Sequence, residues 1–223
     1  MRIVTVLNQK GGVGKSNVVM NLAAVASEHS RVLVVDADHL QRTATDWAEA
    51  ADQAGKPLPY DFDAVDDPTV LAGLRDFDEY DLILVDTPGS LAESEVPRLA
   101  AALDNSDFVI LPIEPKFNSI RPLLTTLDRL VEPRRLAYRI LLSRVERDEA
   151  GQKRRDETIA LLDEIEQPHF QTVIRAYSAH SDAPTTGDVV TTYPRLRGAV
   201  SALDDFKSLA LELTTLWANE GKK

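Results

Sequence analysis

The sequence predicts an α/β fold: a doubly wound, mostly parallel sheet with helices on both faces. Three observations carry that expectation. Short apolar runs recur along the chain and are nearly continuous, as in strands buried on both faces. Stretches of helical period lie between them, so strand and helix alternate throughout. The 223 residues are 43% apolar and 27% charged, enough for a sizeable core, and point to 1–223 as a single domain.

The strands are expected at Ile3–Leu7, Val32–Val35, Leu82–Val85, Phe108–Ile113 and Arg139–Leu142, with weaker ones at Tyr60–Val65 and Gln171–Ile174. Helical period marks Lys15–Ser27, Thr43–Ala54, Pro68–Asp76, Glu95–Leu103, Ile120–Val131, Glu157–Glu166 and Ala199–Trp217. Pro68 after Asp67 suits a first helical turn behind an acidic cap. In such a sheet, ligand is expected at the carboxyl ends of the strands.

Composition narrows the chemistry. The chain has no cysteine, which excludes disulfides, thiolate metal sites and iron–sulfur clusters and fits a reducing cytosol. No apolar run approaches the ~20 residues of a membrane-spanning helix. The face formed by Phe206, Leu209, Leu213, Leu216 and Trp217 reads as a core-packed closing helix, because Glu212 and Glu220 interrupt its polar side. No membrane partner is expected. Net charge is −11, unevenly spread: Asp36 to Asp107 carries −14, and Arg129 to Arg155 carries +5. A basic face on an acidic body can meet phosphates, although a single charge run is more often a solvated surface.

Gln9-Lys10-Gly11-Gly12-Val13-Gly14-Lys15-Ser16 falls between a strand and a helix, the context of a phosphate-binding loop. Its glycines let backbone N–H groups turn inward around phosphate oxygens, and the helix N-terminus adds partial positive charge. Gly11, Gly12, Val13, Gly14, Lys15, Ser16 and Asn17 are the candidate nucleotide contacts. Lys15 would neutralise the β- and γ-phosphates, and the Ser16 hydroxyl would complete a magnesium shell. The strict P-loop pattern asks for glycine where this chain has Gln9. Val35-Asp36-Ala37-Asp38 and Ile83-Leu84-Val85-Asp86-Thr87-Pro88-Gly89 end two strands in carboxylates at the same sheet edge.

With Asn8, these residues resemble the deviant Walker A box of the ParA/MinD ATPases, where glutamine at the position of Gln9 is common. Within that family the chain is most similar to short plasmid partition ParA proteins of the ParF type. The resemblance implies ATP and Mg2+ as cofactors and an ATPase activity. It makes Lys10 the signature lysine that reaches the partner's nucleotide in an ATP-dependent homodimer, and Asp38 the residue that positions the attacking water. Asp36 and Asp86 would organise the magnesium shell with Ser16. The family's Asp-x-Asp-Pro-Gln is departed from here by His39-Leu40-Gln41, with one residue apparently inserted. His39 by itself reads as an exposed loop residue.

Ser181-Asp182-Ala183-Pro184-Thr185-Thr186-Gly187 resembles the family's adenine-flanking segment. That makes Pro184 the candidate base contact, although on residues alone an ordinary surface loop is nearly as good a reading. Where relatives often carry a DNA-touching arginine this chain has Ala179, and Arg175, Arg195, Arg197 and Lys207 are the candidate substitutes. The implied function is DNA partition by a cytoplasmic, nucleoid-associated ATPase. Non-specific DNA and a centromere-binding ParB-like protein are its implied partners. No DNA-reading helix-turn-helix is expected ahead of the first strand. Positioning of a protein cargo, such as a carboxysome or chemoreceptor array, and a metabolic ligase of the dethiobiotin synthetase type are the alternatives.

Overall fold

The structure, a computed structural model, describes residues 1–194 and 198–220. Six strands form one sheet: β1 (Arg2–Val6), β2 (Val32–Asp36), β3 (Asp61–Ala64), β4 (Leu82–Asp86), β5 (Phe108–Ile113) and β6 (Ala137–Leu142). Their order is β3-β2-β4-β1-β5-β6, and every pairing is parallel. The doubly wound expectation holds, with no antiparallel edge among these strands.

Alternation along each strand sends successive side chains to opposite faces. Val4, Val6, Val32, Val34, Leu84 and Ile110 enter one core, together with apolar residues of α1 (Lys15–Ala26), α2 (Thr43–Gln53), α7 (Ala179–Thr186) and α8 (Ala199–Glu220). Ile3, Leu33, Val35, Ile83, Val85, Val109 and Leu111 face the other side. There they meet α3 (Pro68–Ala72), α4 (Val96–Asp104), α5 (Phe117–Thr126) and α6 (Glu149–Glu164). Both faces are covered, which is why the strands read as continuous apolar runs. Phe206, Leu209 and Leu213 of α8 are buried, as expected of a closing helix. Among the described residues no helix is long and apolar enough to cross a membrane.

The departures from expectation have local causes. Gln171–Ile174 forms no regular ladder beside β6. The Glu212 carboxylate of α8 accepts the Gln171 and Thr172 N–H groups at 2.8 and 2.9 Å, so those donors are spent off the sheet. Helix α6 begins at Glu149, eight residues before the expected Glu157, because the Asp148 side chain caps it through the Gly151 N–H at 2.7 Å. Helix α3 stops at Ala72 and passes Gly73 into a 3-10 turn at Leu74–Asp76. Helix α5 starts at Phe117 and widens into a π turn at Leu127–Val131.

The largest departure is α7, a helix where a loop was expected. It ends at Gly187, whose φ is 68°. A Cβ there would stand 2.2 Å from the Ala51 Cα of α2, so glycine is what lets the two helices meet. Gly187→Ala should therefore cost on the order of 2–4 kcal/mol, combining left-handed strain with a backbone collision. A urea unfolding midpoint equal to that of the parental chain would contradict this packing.

Candidate nucleotide-binding site

Strands β1, β2 and β4 deliver the site at their carboxyl ends, where Asp36 and Asp86 are register partners. The loop after β1 is fixed from several sides. Asn8 Nδ2 donates to the Pro112 carbonyl at 2.8 Å, and Gln9 Nε2 to that of Pro122 at 2.7 Å. Ser143 Oγ donates to the Val13 carbonyl at 2.5 Å, and Arg144 Nη1 to that of Gly12 at 2.6 Å. Anchoring the carbonyls outward leaves the loop's N–H groups turned toward a bound anion. Gly12 and Gly14 take the left-handed φ values of 78° and 89° that this path needs. Gln9, the departure from the strict motif, thus has a structural job.

Lys15 is 7% exposed. Burial pulls its pKa below the ordinary lysine value, while the neighbouring Asp86 and Asp38 raise it again. Across from it, Gly89 makes a close approach: a Cβ would lie 3.2 Å from both the Gly11 Cα and Lys15 Nζ. The Thr87 hydroxyl, bonded to the Val6 carbonyl at 2.7 Å, fixes the start of that segment. Asp36 is engaged on both oxygens. Oδ1 accepts the Asp38 N–H at 2.9 Å, and Oδ2 accepts the Thr45 N–H and hydroxyl at 2.9 and 2.7 Å. Asp38 Oδ1 accepts the Gln41 N–H at 3.1 Å. A hollow of about 190 Å³ brings together Gly12, Lys15, Ser16, Asn17, Asp38 and Pro184.

Residues 4–190 match the CobQ/CobB/MinD/ParA nucleotide binding domain. The chain belongs to this family. It is 37% identical to Maintenance of carboxysome distribution protein A of Gloeobacter kilaueensis over 216 residues, covering 97% of this chain and 95% of that one. It is 32% identical to the chromosome-partitioning ATPase Soj of Thermus thermophilus over 161 residues, 58% of this chain and 63% of that protein. The fold is similar to that of the cell division ATPase MinD of Pyrococcus furiosus, with a TM-score of 0.72 and 21% identity over 96% of this chain and 99% of that one.

In this ParA/MinD-type site the metal question turns on Asp86. It is 1% exposed, and neither carboxyl oxygen has a hydrogen-bond partner. The Ser16 hydroxyl lies near enough to draw its pKa down in part, without the geometry of a bond to it. Burial first, then the charges of Asp36 and Asp38, push its pKa to about 7. A buried carboxylate with two orphan oxygens beside a serine hydroxyl fits a magnesium ion, which is held through one or two carboxylates, water and phosphates. Among the described residues no group of three or more His, Cys, Asp or Glu side chains is placed to hold a metal ion by itself.

The remaining predicted residues fall in the following places. Pro184 borders the hollow from inside α7 rather than from a loop. Asn17 Oδ1 accepts from Asn21 Nδ2 at 2.9 Å. Lys10 Nζ donates to Asn118 Oδ1 at 3.1 Å and Ser119 Oγ at 3.3 Å of its own chain. Arg175 lies against Asp205, with its Nη2 2.5 Å from a carboxylate oxygen. Arg195 and Arg197 lie outside the described residues, and Lys207 is exposed. Sequence reasoning missed Ser143, Arg144, Gln41 and His180 around the cleft. The first two directly follow the β6 run, and a strand's carboxyl end was the available signal.

Asp86 ties stability to pH. Its folded pKa of about 7 lies above its ordinary 3.8, so the folded nucleotide-free protein holds the extra proton between those values. The stabilisation from that proton is complete below about pH 4 and is lost as pH rises through about 7. The parental chain should therefore lose stability relative to Asp86→Asn across that window, measured as the difference in unfolding free energy. A pH-independent difference would show that Asp86 ionises normally.

Proposed function

We propose that the chain, as one ATPase domain over 1–223, hydrolyses ATP with Mg2+ to position a cargo, and that its ATP-bound form is a sandwich dimer. One arrangement supports this reading above all. Lys15, Asp86 and Asp38 converge inside the phosphate loop, while a second lysine, Lys10, stands at its rim on the neutral side chains of Asn118 and Ser119.

Lys15 and the loop N–H groups would hold the β- and γ-phosphates. Ser16 and Asp86, with Asp36 behind them, would hold magnesium, whose charge offsets that developing on the phosphate oxygens. Asp38 would let go of the Gln41 N–H and orient water in line with the γ-phosphate, a task that needs position rather than unusual basicity. Lys10 would leave Asn118 and Ser119 and reach the nucleotide of a second copy. An adaptor on the cargo would then stimulate hydrolysis, and the ADP form would release. Direction comes from differential affinity of the two nucleotide states.

The full-length similarity to a carboxysome distribution protein supports a protein assembly as cargo. The similarity to Soj supports a second reading, DNA segregation with a centromere-binding ParB-like partner. The full-length match to a distribution protein favours positioning over the ligase alternative. Both readings make the protein cytoplasmic and nucleoid-associated, with non-specific DNA as the track for the dimer. The +5 segment is a weak candidate for that contact. Lys153 pairs with Glu157, Arg154 with Glu146 and Arg155 with Asp156, and Arg175 is held by Asp205. Arg195, Arg197 and Lys207 carry the proposal forward.

Two measurements check these readings. Asp38→Ala should bind ATP, accumulate as a dimer by light scattering and stop turning over, whereas Lys10→Ala should bind ATP and stay monomeric. Hydrolysis at the parental rate in Asp38→Ala would move the water-positioning role elsewhere. In fluorescence anisotropy on unrelated duplexes, the ATP form should bind all sequences alike, with a log–log salt slope of ~−0.9 per phosphate contact. Charge reversal at Arg195, Arg197 and Lys207 should flatten that slope. No binding in the ATP state at low salt would remove DNA as the track.

A further inference from the structure

The loop that carries Asp38 departs from the family pattern at His39, and the structure gives that departure a place. His39 is not an exposed loop residue, since 29% of its side chain is accessible and it faces a buried charged pair. Glu95 stands at the N-cap position of α4 and is 0% exposed, and Arg98, one turn on, is 11% exposed. Arg98 Nη2 donates to Glu95 Oε2 at 2.8 Å and also faces His39 Nε2 at 3.4 Å. Its Nη1 donates to the Asp66 carbonyl at 3.4 Å, reaching the segment between β3 and α3. One guanidinium therefore touches the loop after β2, the segment after β3 and the end of the segment that starts at Asp86.

Arginine has no acceptor, so His39 Nε2 accepts from Arg98 and the proton sits on Nδ1. That Nδ1 is 3.8 Å from Glu95 Oε2, and neither it nor the buried Arg98 Nε has a hydrogen-bond partner. The cluster thus keeps two unmet donors. A shift of ~1 Å in the His39 loop would bring Nδ1 within bonding distance of Glu95. Buried ion pairs cost desolvation and seldom add net stability, so geometry is the better reason for this one.

The geometry points to His39, Glu95 and Arg98 as positioning residues that fasten the Asp38 loop to the segment between Asp86 and α4, so that the two close on nucleotide together. This rests on the reading of Asp38 as the residue that orients water. Asp38 Oδ1 accepts the Gln41 N–H. His39 adjoins it directly, so whatever holds His39 limits where the Asp38 carboxylate can point. The nucleotide itself would be gripped by the phosphate loop, whose residues line the hollow that Asp38 borders. The cluster should accordingly govern turnover and leave ATP affinity alone.

The test uses the full chain and His39, because a half-exposed position tolerates substitution without unfolding. His39→Ala should lower kcat about tenfold, the worth of one bond to a charged group, with the ATP dissociation constant within twofold of parental. His39→Gln, which sets an amide oxygen near the place of Nε2, should recover most of the rate. His39→Asn, which reaches only the place of Nδ1, should not. Amide exchange over residues 38–42 gives a readout that needs no hydrolysis, and should quicken in nucleotide-free His39→Ala. Three results would overturn the proposal: a parental rate in His39→Ala while Asp38→Ala is inactive, rate and affinity falling together, or His39→Gln as slow as His39→Ala. Unchanged exchange would overturn it as well. A parental chain that hydrolyses no ATP would instead defeat the ATPase reading, and exchange would still judge the cluster.

Discussion

The structure depends on a carboxylate buried without a hydrogen bond. Asp86 ends the central strand β4, 1% exposed, with both oxygens unpaired and Lys15 nearby. A buried charge in that condition is costly, and burial answers by raising its pKa toward neutrality. The same burial lowers the pKa of Lys15. Burial thus works against the charged form of both groups. A triphosphate and its cation would complete both.

That arrangement is possible because the sheet is wholly parallel and buried on both faces. Placing β4 and β1 side by side puts Asp86 next to the start of the phosphate loop, and β2 adds Asp36 across the register. Around this rigid edge the other parts are attached by side chains that can let go. Lys10 rests on two neutral groups, Asp38 on a backbone N–H, and His39 on a guanidinium. Fixed charges sit at strand ends and adjustable ones in loops, the division expected of a site that responds to its ligand.

Surface charge teaches a different lesson. A local excess of arginine and lysine along the chain is spread in three dimensions over the turns before β6, β6 itself, its loop and α6, and Arg134, Arg144, Lys153, Arg154 and Arg155 each pair with a carboxylate. Counting along the chain cannot foresee such pairing, because partners such as Glu114 and Arg144 belong to different elements.

By itself, the sequence determined the alternation of elements, the phosphate loop and the strand ends at Asp36 and Asp86, because those signals are local. An apolar run, a glycine-lysine-serine turn and an aspartate after valine are each read within a few residues. Tertiary structure decided whatever depends on distant partners. Gly187 and the close backbone of Ala51 decided that the Pro184 segment is a helix packed on α2. Glu212 of α8 took the N–H groups of Gln171 and Thr172, so that the segment meets β6 only through single bonds such as Ile174 N–H to the Leu142 carbonyl. Glu95 and Arg98, more than fifty residues away along the chain, drew His39 off the surface. In each case the deciding atom lies far away in sequence, and only the closing of the fold brings it into contact.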